Sequence, residues 1–263
     1  MSLVFVAITP HPPLLIPSIG KKNLVKVEKT KKALESLQED LYLSHPDILI
    51  VISPHGSYFN DAFTINMNPV YYSDLKEFGD ITTKLEFKGE MNLSSYIRES
   101  GKENNFSVAM ISEPKLDHGS IVPLYYLTPH LEKCAILPMG FCGLDWKTHV
   151  DFGYMIKNDI ANIDKRVAVI ASGDLSHALQ TDAPAGYNQA GEEFDKKIRQ
   201  LLENKNTAGM LQLDPQFVAD AAECGFRSFL ILMGILRNMD FTYKEYNYEA
   251  PFGVGYLTAN FVF

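Results

Sequence analysis

The sequence predicts one α/β domain, residues 1–263, built on a mostly parallel central sheet flanked by helices. Three observations carry this expectation. At 263 residues the chain is long for one small domain and short for two ordinary ones. Its strongest apolar runs, such as Ile48–Ile52 and Val167–Ala171, are short and β-branched, as strands buried on both faces are. They alternate with longer stretches of helical periodicity, and no repeat, low-complexity tract or Pro/Gly/Ser-rich linker interrupts them. Hydrophobic residues are 46% and charged residues 21%, the balance of a chain that folds around a core.

Leu3–Ile8 is apolar and stops at Thr9-Pro10, a buried strand running into a loop. From about Asn23 to Ser44, Leu24, Val27, Ala33, Leu34, Leu37 and Leu41 fall near helical spacing with Lys and Glu between them, giving a long amphipathic helix. Asp47–Ser53 is the next strand, and the order strand, helix, strand implies a right-handed parallel crossover. Phe63–Met67 and Ile81–Phe87 alternate like half-exposed strands, and Met91–Glu103 reads as a helix. Val108–Ser112, Ala135–Met139 and Arg166–Ser172 are further strands, each followed by a polar loop. Helices are expected over Ile121–Leu127, Lys147–Ile163, Ala190–Asn204, Pro215–Ala222 and Cys224–Asn238. Phe241–Phe263, rich in Tyr, Phe and Val and punctuated by Pro251, Gly253 and Gly255, reads as a strand pair closing the sheet. Ligands of such sheets bind beyond the carboxyl ends of the strands, so chemistry is expected there.

With 24 Lys+Arg against 32 Asp+Glu the formal charge is −8, and no basic cluster could track a phosphate backbone, so nucleic acid is not an expected partner. No apolar run approaches the roughly 20 residues that cross a bilayer. The N-terminal segment has neither a basic region nor a small-residue cleavage site, so a cytoplasmic protein without membrane contact is expected. Cys134, Cys142 and Cys224 are an odd number without metal-type spacing and read as reduced, buried thiols.

Four of the seven histidines stand in polar loops near strand ends: His11 in Thr9–Pro13, His55 in Ser53–Gly56, His118 in Asp117–Ser120 and His177 in Gly173–His177. His11, His55 and His177 each follow a different predicted strand, so their imidazoles would converge on one edge of the sheet, as a shared site requires. His45, His130 and His149 lack a partner ligand at useful spacing and read as structural. Glu249, among aromatics where a strand stops before Pro251, is the candidate carboxylate: inside an apolar strand pair it would need a positive partner, and on an edge strand it would face solvent.

These segments, TPHPP, SPHG, LDHGSIVPL, SGDLSH and YEAPFGVG in this order over most of the chain, resemble the class III (LigB-type) extradiol ring-cleaving dioxygenases and their Memo-like relatives. The resemblance implies a LigB-like α/β fold. It implies His11, His55 and Glu249 as metal ligands, His177 as the acid/base residue and His118 as a second histidine beside the substrate. Residues 183–195 and Glu223-Cys224-Gly225 are similar to a branch often fused to, or encoded beside, an AMMECR1-type domain and a radical SAM protein, which implies partners of those kinds. In Memo-like proteins a cysteine takes the place of the carboxylate ligand, and the assignment of Glu249 here favours the dioxygenase side.

Two neutral imidazoles and one carboxylate leave open positions on non-haem Fe(II). One ligand charge leaves the iron positive, so it attracts a catecholate while O2 binds beside it. A histidine with an ordinary pKa near 6.5 suits the proton transfers. The expected activity is Fe(II)-dependent cleavage of a small aromatic diol by O2; a homodimer would be ordinary for a soluble enzyme of this size, and the sequence leaves the oligomeric state open. Two other readings use the same residues. One is a metal-dependent hydrolase, since two His and a Glu also hold catalytic zinc, and the other is a Memo-like metal-binding or signalling protein of the same fold.

Overall fold

The β-branched runs form the middle of the sheet. The computed structural model describes residues 2–263. Its first half contains β1 (Leu3–Thr9), α1 (Pro17–Gly20), α2 (Glu28–Leu43), β2 (Ile48–Ile52), β3 (Phe63–Asn66), β4 (Val70–Ser73), β5 (Glu86–Lys88), α3 (Asn92–Glu103), β6 (Val108–Ile111), β7 (Lys115–Leu116) and α4 (His118–Leu127). The second half contains β8 (Ala135–Gly140), α5 (Trp146–Ala161), β9 (Val167–Ser172), α6 (Gln189–Glu203), α7 (Thr207–Leu211), α8 (Pro215–Asp220), α9 (Phe226–Ile235), β10 (Thr242–Glu249) and β11 (Tyr256–Val262).

The main sheet has the order β10-β11-β1-β9-β2-β8-β3-β6. Its centre, β1, β9, β2 and β8, is parallel, with antiparallel pairing at β11 against β1 and at β3 against β8. A smaller sheet of order β5-β4-β7 stands beside it.

The central strands are buried on both faces, which is why they read as continuous apolar runs. Ile8, Ile48, Ile50, Ile52, Val167 and Val169 pack into a core with Phe152, Ile198, Phe229 and Ile231, from α5, α6 and α9. Ala7, Leu49, Val51, Ala168 and Ile170 face the other way, onto Leu34, Leu37, Leu41 and Ile121 of α2 and α4. The result is three layers, helix, sheet, helix.

Two local expectations change. The helix expected from Asn23 begins only at Glu28, and Lys21–Val27 forms 3-10 turns after Lys21 takes φ +47°. The strand expected over Ile81–Phe87 shrinks to β5, because the Asp80 carboxylate accepts the N–H groups of Thr82 and Thr83 and ties that stretch into a turn. β1 and β2 run parallel, as expected of a strand, helix, strand crossover, with β9 lying between them. Among the described residues no helix is long and apolar enough to cross a membrane.

Candidate metal centre

The register brings three strand ends level. Thr9 of β1 lies opposite Ser172 of β9, and Ile52 of β2 opposite Ala171. Each strand then runs into a loop, and those loops carry His11, Asp174 with His177, and His55.

His11 is 2% exposed. Its backbone N–H donates to Asp174 Oδ1 at 2.9 Å, and its Nδ1 lies 2.8 Å from Ser172 Oγ. The Ser172 hydroxyl has one proton, and that proton goes to the Gly119 carbonyl at 2.5 Å. Ser172 therefore accepts from His11, Nδ1 carries the ring proton, and Nε2 presents a bare lone pair to the site. His11 Nε2 lies 3.0 Å from His55 Nε2. An imidazole fixed through one nitrogen, with the other aimed at a neighbouring imidazole, is the arrangement of a metal ligand. Burial, with the neighbouring His55, His118 and His177, holds His11 well below its ordinary pKa, and burial takes His55 down to about 4. Both rings are neutral near pH 7, the form that ligates.

His118 opens α4, where Asp117 caps the helix by accepting from Ser120 N–H and also accepts from the Ser53 hydroxyl. The cap fixes the start of α4, and the His118 ring stacks on His55 with centroids 4.2 Å apart and meets Phe78 edge-on at 5.0 Å. The side-chain nitrogens of His11, His55 and His118 all lie within 4.8 Å of one another.

A second group shares His11: the ligand atoms of His11, Asp174 and Cys224 also lie within 4.8 Å of one another. Cys224 Sγ is 3.5 Å from His11 Nε2, and Asp174 Oδ2 is 4.0 Å from it. Two loops cross here with backbone against backbone. A Cβ on Gly173 would lie 2.1 Å from Gly225 Cα, so only glycine allows the approach. Across the crossing, Gly225 N–H donates to the Asp174 carbonyl and Asp174 N–H reaches Cys224 Sγ. Burial lifts the Asp174 carboxyl to about 7, helped by Asp195 and opposed by the His11 N–H, and burial raises the Cys224 thiol well above its usual value.

His177 stands close enough to His11 and His55 for their charges to act on one another. Its Nδ1 is buried without a hydrogen-bond partner, and burial lowers its pKa. Glu249 is not brought to the imidazoles, which corrects its expected place. Its Oε1 accepts from Thr30 N–H at 2.8 Å and from Thr30 Oγ1–H at 2.6 Å, in the first turn of α2. Glu249 ends β10, on the face that α2 covers, and a carboxylate at a helix N-terminus meets unpaired N–H groups and a favourable dipole. Its positive partner is thus the end of a helix. Asp174 and Cys224, which occupy the cluster instead, were legible only as neighbours of a histidine and of a glycine. His149, read as structural, is buried with its nitrogens against the carbonyls of Asp145 and Cys142.

Beside His55 opens a cavity of about 610 Å3 whose walls include Asn66, Lys76, Glu77, Glu113 and Asp117. A ligand there would lie against His55 on one side and charged side chains on the other.

Residues 5–259 match the family model for the catalytic LigB subunit of aromatic ring-opening dioxygenase. A protein of Clostridium acetobutylicum is 32% identical over 97% of this chain, which spans 57% of that relative's length. The 2-aminophenol 1,6-dioxygenase beta subunit of a Pseudomonas species is 22% identical over 94% of this chain and 90% of its own. A crystal structure of an uncharacterized Escherichia coli K12 protein superposes with a TM-score of 0.64 at 13% identity, covering 98% of this chain and 99% of that one.

Proposed function

The chain belongs to the family of the catalytic LigB subunit of aromatic ring-opening dioxygenases, and from that premise we propose that it is a non-haem Fe(II)-dependent extradiol dioxygenase acting on a catechol-type ring with O2. The observation that carries the reading is the pair of His11 and His55 Nε2 atoms 3.0 Å apart, with the His11 proton fixed on the opposite nitrogen. Without a metal, a neutral His55 carrying its proton on Nε2 donates to the bare His11 Nε2, and a bound cation would take the place of that shared proton between two nitrogens already brought together.

His11 and His55 would hold the metal. The third place would fall to His118, whose nitrogens group with both, or to Cys224, whose sulfur is nearer His11 Nε2 than the Asp174 carboxyl is. We assign it to Cys224 because a thiol can give up its proton and bring a negative charge. A thiolate supplies the single negative charge expected of a carboxylate. Bound iron would supply the redox partner for O2 and a Lewis acid for the ring hydroxyls. His177, neutral and with a free buried nitrogen, takes the proton that a ring hydroxyl gives up. His118, held between His55 and Phe78, lines the approach to the substrate ring. The cavity beyond His55 has room for a ring with a polar arm.

Cys224 also favours a second reading. Thiolate and imidazole suit zinc as well as iron, so a zinc-dependent hydrolase or a Memo-like metal-binding protein uses the same atoms. The test is metal analysis of anaerobically purified protein, then O2 uptake with Fe(II) and a panel of catechols and 2-aminophenol. Stoichiometric iron with substrate-dependent O2 uptake is the expected result. Stoichiometric zinc, with no O2 uptake after iron loading, overturns the dioxygenase reading in favour of the second.

A further inference from the structure

The loop that carries His177 is held by a bracket of bonds outside the metal centre. Every backbone N–H from Leu175 to Leu179 is fixed. Leu175 donates to the Gly255 carbonyl, His177 to the Ala221 carbonyl and Leu179 to the Gly253 carbonyl. Ala178 N–H goes to Ser176 Oγ, whose own proton goes to the Ala221 carbonyl. The remaining donor, Ser176 N–H, goes to a carboxylate: Asp195 Oδ1, from α6, at 2.8 Å.

Asp195 is 1% exposed, and its other oxygen accepts from the Tyr248 hydroxyl at 2.7 Å. Tyr248 is oriented in turn by Arg199, whose guanidinium lies 4.2 Å over the ring while it holds Glu245 through two bonds. Two glycines mark how closely the bracket is fitted. A Cβ on Gly255 would lie 2.1 Å from Asp195 Oδ2, and one on Gly191 would lie 2.5 Å from Ser176 Oγ. A buried carboxylate without a direct cation is costly, and a stable core is easier to build without one. Here both oxygens are committed, one to the His177 loop and one to the residue that holds the carboxylate in place.

We propose that Asp195 and Tyr248 are a positioning pair, which fixes the backbone on either side of His177 and so aims its ring at the site. The proposal rests on the reading of His177 as the acid/base residue. Neither residue of the pair touches the reacting atoms. Their effect passes through the Ser176 N–H to the peptide that precedes His177.

The test compares Asp195→Ala, Asp195→Asn and Tyr248→Phe with the wild type by three measurements. Amide hydrogen exchange is followed in the metal-free protein, metal content is determined, and kcat and KM are measured on a substrate found by the panel above. Asn keeps an acceptor for Ser176 N–H and a group that can bond the Tyr248 oxygen, so it is the rescue variant. Asp195→Ala should speed exchange at Ser176–Ala178 at least tenfold while β9 amides stay protected. Misplacement of a reacting group by about 1 Å costs about 100-fold, so kcat should fall on that scale with KM and metal content little changed. Asp195→Asn should restore most of both properties, and Tyr248→Phe should fall between. If Asp195→Ala does not fold, Tyr248→Phe carries the same comparison with a smaller expected effect. Lower thermal stability with wild-type kcat and wild-type exchange at Ser176–Ala178 overturns the proposal and leaves the pair a purely structural role. A fully active His177→Ala, with faster exchange in Asp195→Ala, overturns the role of His177 instead and so separates the two failures.

Discussion

Ser172→Ala tests whether His11 Nε2 is a ligand. The Ser172 hydroxyl is fully buried and makes two bonds, accepting from His11 Nδ1–H and donating to the Gly119 carbonyl. Its loss leaves a buried donor and a buried acceptor unpaired, a penalty of about 1–3 kcal/mol. For a chain of this size each kcal/mol lowers the melting temperature by about 2–4 °C. If Nε2 binds the metal, the change does more than this. Freed from Ser172, the imidazole can rotate or move its proton to Nε2, and losing such an outer partner typically costs about 10–100-fold in metal affinity, or about 1.4–2.8 kcal/mol. The assay is a chelator-competition titration of metal-free protein with Zn(II) and, under nitrogen, Fe(II), run beside calorimetry. Ser228→Ala is the control, because the Ser228 hydroxyl is equally buried but has no partner. It should leave affinity unchanged. A lower melting temperature in Ser172→Ala with wild-type affinity would refute the reasoning, since Ser172 would then support packing alone.

Other perturbations separate the remaining roles. Cys224→Ala should lower metal affinity at least tenfold, whereas Glu249→Gln should leave it unchanged and cost about 1 kcal/mol, through the first turn of α2, in a denaturant titration. The reverse pattern would restore Glu249 as the ligand. His177→Ala should keep its metal and lose about 10²–10⁴ in turnover, measured as O2 uptake; loss of metal instead would make it a ligand. Burial raises the Asp195 carboxyl to about 7, against an ordinary value near 3.8, with the bonds from Ser176 and Tyr248 only partly opposing it. The folded protein thus keeps a proton that the unfolded chain releases, a contribution fully present below about pH 4 and lost as pH rises through 7. Asp195→Asn removes that dependence, so its melting temperature relative to wild type should climb between pH 4 and 7. A flat difference would contradict the raised value.

What the sequence discloses about the site divides along a physical line. A strand that is buried on both faces writes its own signature, and the loop after it follows directly in the chain. His11 and His55 therefore needed only the apolar runs Leu3–Ile8 and Ile48–Ile52 and the rule that parallel strands end together. Their convergence depended on β1, β9 and β2 being neighbours, which a shared direction makes easy. Asp174 and Cys224 are different, because they meet through an approach of two glycines 52 residues apart, Gly173 and Gly225, and neither glycine stands out among the 17 in the chain. Glu249 shows the opposite error. A carboxylate ending an aromatic strand does need positive charge, but periodicity does not say whether a metal or a helix end provides it. Register decides, because Glu249 pairs with Tyr256 at the end of β10, on the face that α2 covers, where Thr30 stands. Local chemistry thus identified a residue with an unmet electrostatic need, and only the packing of α2 on that edge said what meets it. The same distinction explains Asp195, whose sequence setting in α6 is an ordinary amphipathic helix. Its role appears only when the loop after β9 folds back onto that helix and leaves one N–H to be satisfied.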